Sequence, residues 1–224
     1  MNHNPLKLKP FSGSALKVIA VISMTIDHIA LYVMARNLHI QEFWLYEVLR
    51  GFGRLAFPIF AFLVIEGFFH THNVLRYMAT LLIFAIVSEI PWYLLGQYGS
   101  HNVLFTLLLG LIAFYLTDRI PKDSWVLIIP SLFVAIIASW INTDYSWHGI
   151  GLMIVFYLFR ERSLFIYLFG LPFLLEYGLI GTSFGLFVCI AYNGQRGFIH
   201  GKWIKYIFYF YYPIHMMVIW LIVQ

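Results

Sequence analysis

The chain has 224 residues, 62% of them hydrophobic and 11% charged, with a mean hydropathy of +0.83. Soluble domains are about half apolar and a quarter charged, so a water-soluble globule is excluded and a bilayer is the expected solvent. The net charge of +4 and a pI near 9.1 do not mark a nucleic-acid binder, because the basic residues sit between apolar runs, where they set topology.

In chain order, residues 1–13 are read as a short cytoplasmic tail, polar and basic over MNHNPLKLKP. No small-residue cleavage site follows the first apolar run, which is therefore expected to be a retained signal anchor. Residues 14–224 are read as one transmembrane domain. Apolar runs divided by charge, Gly or Pro predict helices over 14–36, 53–70, 75–96, 102–118, 124–141, 147–159, 164–177, 179–192 and 205–223. The expected fold is thus an all-α polytopic bundle of about nine spans, with eight to ten as the bracket, because the sixth to eighth runs are short. The longest polar interval lies around Arg36 to Arg50. With a cytoplasmic N-terminus, most Lys and Arg fall on the inner side and only Arg36, Arg50 and Arg54 on the outer one, a positive-inside pattern. One cysteine, Cys189, excludes an internal disulfide and any multi-cysteine metal site.

Ionisable residues inside spans are functional candidates, because their burial must be offset by partners or by a wet cavity. Here they are Asp27, His28, Arg54, Glu66, Glu89 and His215, with Lys17 at the inner end of the first helix. Lys17 and His28 are eleven residues apart, three turns plus a small angle, so they share one face. The last helix repeats the arrangement with Lys205 and His215, and the two histidines would share a cavity if those helices pack together. Asp27 lies about 100° from His28 and cannot face it. An orienting carboxylate is easier from another helix, as Glu66 or Glu89. Arg54 and Glu89 fall at similar depth, which suggests a pair that either fixes packing or binds an acceptor. Asn102 and Thr106, with Asp144, Tyr145 and His148 of DYSWHG, either line an outer opening or serve as a helix cap and an interfacial turn. On the inner side YNGQRG, with Arg196, Lys202 and Lys205, is a Gly-containing basic loop suited to phosphate or to setting topology. No close-spaced ligand motif supports a metal, and none is predicted.

ALKVIAVISMTIDHI, GRLAFPIFAFLVIEGF, LLIFAIVSEIPW, NVLFTLLLG, YNGQRG and KYIFYFYYPIHMM resemble, in order, the signature segments of the TraX family, named for N-terminal acetylation of conjugative pilin. A more distant similarity reaches the acyltransferase-3 superfamily, whose basic residue and histidine eleven apart match Lys17 and His28, and whose late aromatic segment closing in histidine matches His215. The chain departs from that pattern in Lys for Arg at 17, Glu for Ser at 66, and a length shorter than the usual ten-helix core.

The resemblance implies an acyl-CoA-dependent O- or N-acyltransferase of the bacterial cytoplasmic (inner) membrane. Acetyl-CoA would be the acyl donor, and the acceptor a peptide, glycan or lipid in or outside the membrane. His28 would be the general base or carry the acyl group, supported by Asp27, Glu66 or Glu89, with His215 at the thioester or acceptor. Lys17, Arg196, Lys202, Lys205 and Tyr206 would hold the CoA. Arg54, Asn102, Thr106, Asp144 and Tyr145 would meet the acceptor. Two other classes stay open: a small proton-coupled transporter relaying protons through Asp27, His28, Glu66 and Glu89, and a non-catalytic assembly factor.

Overall fold

A computed structural model describes residues 9–37, 42–121, 125–199, 201 and 203–224, without the side chains of Trp125, Leu127 and Lys205. The described residues are helical, apart from turns and two isolated β-bridges. Ten α-helices follow in chain order: α1 (Gly13–His28), α2 (Phe43–Gly53), α3 (Ala56–His70), α4 (Val74–Leu94), α5 (Val103–Thr117), α6 (Ile129–Trp140), α7 (Ser146–Leu158), α8 (Ser163–Gly170), α9 (Leu179–Ile190) and α10 (Ile204–Val223). Side-chain oxygens of Ser12, Asn73 and Asn102 accept the first free N–H groups of α1, α4 and α5, satisfying donors that a helix start leaves open.

Each expected run is helical where it is described, with three corrections. The interval around Arg36 to Arg50 is not only loop: Phe43–Gly53 is helical and continues through one turn into α3, giving a span over Phe43–His70. Its Glu42, Glu47 and Arg50 break the apolar run, while Phe43, Trp44, Val48 and Phe52 give it an exposed apolar side. Residues 164–177 divide into α8 and a 3₁₀ segment, Leu171–Tyr177, where Pro172 enters. The run over 14–36 is α-helical only to His28 and then widens into a π turn, Ile29–Val33.

Among the described residues, four helical stretches are long and apolar enough to cross a membrane: Gly13–Arg36, Phe43–His70, Val74–Leu94 and Tyr206–Val223. The five shorter apolar helices fall between 10 and 17 residues, under the ~20 that a bilayer core needs. Three of the short ones, α5, α7 and α9, lie at the centre, with Phe114, Met153, Phe156 and Leu186 fully buried. The long α4 and α10 present Ile83, Ile86, Ile90, Ile214, Val218 and Ile222 outward, a face that suits lipid.

Helix α9 crosses the α2–α3 junction on a small-residue face, Gly181 and Gly185. A Cβ at Gly181 would lie 1.9 Å from the Gly51 carbonyl oxygen, and one at Gly185 would lie 2.6 Å from Pro58. G-x-x-x-G spacing lets membrane helices approach this closely. Gly181→Leu is expected to cost at least about 1–3 kcal/mol as an overpacked contact, read as a lowered unfolding midpoint in detergent. An unchanged midpoint would show that α9 does not seat on this junction.

Candidate functional site

Helices α1 and α10 run side by side in the same direction. Lys17 lies 5.7 Å from the Phe208 ring, Thr25 Oγ1 is 2.7 Å from Tyr211 Oη, and His28 meets His215 further along. Lys17 and His28 thus share the face turned to α10, and the two histidines are in direct contact. His28 Nδ1 is 2.7 Å from His215 Nε2, and the rings stack with centroids 5.0 Å apart.

The partners fix the tautomers of a neutral pair. His215 Nδ1 lies 2.9 Å from the Tyr211 carbonyl oxygen, which can only accept, so that nitrogen carries the hydrogen and Nε2 is an acceptor. His28 Nδ1–H therefore donates to His215 Nε2, and His28 Nε2 keeps its lone pair. The π turn begins directly after His28; such turns recur at functional sites.

His28 lines a cavity of about 170 Å³ together with Asp27, Tyr32, Arg50, Arg54, Asp144, Tyr145 and Tyr212. Asp27 Oδ2 is 2.5 Å from Arg50 Nη1, and the Asp27 side chain fills the notch left by Gly53, where a Cβ would lie 2.2 Å from Oδ1. Asp27 accordingly pairs across the helices rather than with its neighbour. Asp27 Oδ1 and Tyr212 Oη are buried with no hydrogen-bond partner.

The far wall comes from the DYSWHG turn. Tyr145 holds φ at +61°, a conformation that costs a non-glycine residue about 1–3 kcal/mol and clusters at functional sites. Its ring stacks on Phe57 at 3.7 Å, and it acts electrostatically on Arg54 beside it. Burial pushes the neighbouring Asp144 carboxyl up to about 6, against the opposing pull of the Arg54 guanidinium. This turn is tied to the 97–102 loop: Asp144 N–H donates to the His101 carbonyl at 2.8 Å, His101 N–H to Asn142 at 3.0 Å, and Asn142 Nδ2 to Gly99 at 2.9 Å.

At the start of α1 the YNGQRG loop closes on the helix. Gly13 N–H donates to the Gln195 carbonyl at 2.8 Å and Ser14 N–H to the Arg196 carbonyl at 2.9 Å. These N–H groups are therefore committed to the loop and are not free to meet a ligand. Arg196 acts electrostatically on Lys17 across this corner. Tyr206 lies one turn into α10, its ring 5.9 Å from that of Trp203. Lys202 and the Lys205 side chain lie outside the described residues.

Other expected residues are placed elsewhere. Glu66 is held bidentately by Arg160, at 2.7 and 3.1 Å. Glu89 bonds Asn102 and His101, so neither carboxylate orients His28, and the expected Arg54–Glu89 pair is not made. That role falls to His215. Asn102 caps α5 from a fully buried position, and the Thr106 hydroxyl donates to the Asp144 carbonyl; both brace the cavity wall without lining it. Sequence reasoning missed Arg50, Tyr32 and Tyr212. Arg50 had a signal, four residues before Arg54 on one helix face; the tyrosines are lost among fifteen in the chain.

Membrane-length apolar helices around a cavity lined by carboxylates, guanidinia and an imidazole define a helical membrane protein with an interior polar site. The family model described as "TraX protein" matches residues 12–223, and the chain belongs to that family. It is 31% identical to a probable fimbrial assembly protein FimC, serogroup H1, of Dichelobacter nodosus, over 92% of this chain and 93% of the relative. An uncharacterized protein of Rickettsia prowazekii is 26% identical over 66% of this chain and 56% of that relative. No solved structure matches.

Proposed function

We propose that the chain is a membrane-embedded acyltransferase that moves an acyl group, most simply acetyl, from cytoplasmic acyl-CoA to an amine or hydroxyl of an acceptor. Nine spans with the N-terminus inside, in the bacterial inner membrane, would put Lys17 and Arg196 at the cytoplasmic rim and the DYSWHG turn outside. The observation that carries this reading is the directed series from the Tyr211 carbonyl through His215 to His28, which leaves His28 Nε2 as a base in a polar cavity. A neutral imidazole with an uncommitted ring nitrogen can take a proton from an acceptor placed in the cavity.

In the proposed step, the acceptor X–H gives its proton to His28 Nε2 as X attacks the thioester carbonyl. The tetrahedral adduct then collapses, the C–S bond breaks, and the thiolate takes the proton back from His28. His215 holds the ring orientation and gains a stronger hydrogen bond as His28 becomes cationic. Lys17 and Arg196 fit the CoA phosphates as point charge and fork respectively. Arg54, Asp144 and Tyr145 meet the acceptor, and the fimbrial-assembly name of the relative favours a pilin-like peptide.

Mass spectrometry of envelope peptides, glycans and lipids, with and without the protein, tests the reading directly. An acetyl-sized mass on one component should disappear with the gene. No lost acyl mass, together with solute flux in proteoliposomes lacking acyl-CoA, would instead make the chain a transporter.

A further inference from the structure

Tyr212 is 5% exposed, lines the cavity, and its hydroxyl meets no hydrogen-bond partner. Buried polar groups are satisfied in the great majority of cases, so an idle phenol in an interior cavity calls for a ligand. The neighbours narrow what that ligand is. Its ring centroid lies 6.3 Å from that of His28 and 5.6 Å from that of His215, so the hydroxyl and His28 border the same small volume. The Val103 N–H, at the first position of α5, neighbours the Tyr212 oxygen but forms no hydrogen bond of ordinary geometry with it. Asn102 Oδ1 caps the next N–H, that of Leu104, at 3.1 Å. The phenol therefore has a positive helix end behind its oxygen, and its hydrogen has no acceptor.

We propose that Tyr212 is the oxyanion donor of the acyl-transfer step, an inference that rests on the acyltransferase reading above. As X attacks and His28 Nε2 takes its proton, the C=O π pair moves onto the carbonyl oxygen, and the Tyr212 O–H donates to that developing anion. When the C–S bond breaks, the pair returns to C=O and the proton on His28 leaves with the thiol. A preformed donor waiting for charge that exists only in the transition state accelerates chemistry more than binding. The cavity also holds two cations, but Asp27 already neutralises Arg50 at 2.5 Å, and Arg54 is engaged with Tyr145 and Asp144 on the far wall.

Tyr212→Phe removes one oxygen that takes part in no completed hydrogen bond, so the fold is expected to stand. The purified protein in nanodiscs, with acetyl-CoA as donor and hydroxylamine as surrogate acceptor, should show kcat lowered by roughly 10²–10³-fold. KM for acetyl-CoA and the unfolding midpoint should be unchanged. A kcat within a few-fold of wild type overturns the proposal and leaves Tyr212 as packing. A lowered midpoint with proportionate loss of active protein overturns it as well, in favour of a structural hydroxyl. No transfer by wild-type protein above a His28→Ala control, with either hydroxylamine or envelope extract, would instead fail the acyltransferase reading itself.

Discussion

His28→Ala protein is expected to bind acyl-CoA and fail to transfer, with the rate down by about 10²–10⁴-fold, the usual contribution of a positioned general base. The expectation follows from which atoms the fold has already committed. His215 does not stand in for His28, because its Nδ1 is spent on the Tyr211 carbonyl and its ring, 5.0 Å from that of His28, is not part of the cavity lining. Asp27 and Asp144 line the same cavity, but Asp27 is paired with Arg50 and no carboxylate bonds either imidazole among the described residues, so no second base is held in the place of His28. Binding should survive, because the proposed phosphate contacts lie at Lys17 and Arg196, eleven residues and about 16 Å along the axis from His28. Equilibrium binding of acetyl-CoA and single-turnover acyl transfer, measured on the same preparation, separate the two steps. Full transfer by His28→Ala would end the assignment, and loss of binding would mean that His28 holds the donor rather than the proton.

How much of this was legible beforehand depends on the range of each signal. Apolar runs are local, and they located the helices, since a membrane helix must satisfy its own backbone and so declares itself in hydropathy. The eleven-residue spacing of Lys17 and His28 is also local, and both face α10 as that spacing requires. Partner choice is not local. His28 could have met a carboxylate from several helices, and only the parallel packing of α1 on α10 gives it His215. The Arg54–Glu89 expectation failed for the same reason: equal depth does not place two residues on facing sides, and Glu89 is taken by the N-terminal turn of α5. Helix α2 escaped because three charges interrupt its hydropathy. In an aqueous loop those charges would be idle; on a helix packed against α1, one of them becomes the partner of Asp27.

That partner supplies the second large effect. Arg50→Met should destabilise the protein by about 3–5 kcal/mol, the cost of leaving a buried charge without its counter-ion. The two side chains are 14% and 15% exposed, so water offers Asp27 little relief. Arg54 still acts on Asp27 electrostatically, which points to the lower end of that range. Asp27→Asn should recover most of the loss in the Arg50→Met background, because a neutral amide of the same shape still fits the notch at Gly53 and carries no charge to compensate. Unfolding midpoints of the two single variants and the double variant in one detergent give the coupling, which for contacting residues is of order 0.5–3 kcal/mol. Additive losses would show that the 2.5 Å contact carries no energy. Function should not follow stability in the double variant. With both charges gone the cavity loses the Asp27 carboxylate and the guanidinium that frames it, so a protein restored in midpoint is expected to remain impaired in transfer. Recovery of both together would assign the pair to folding alone.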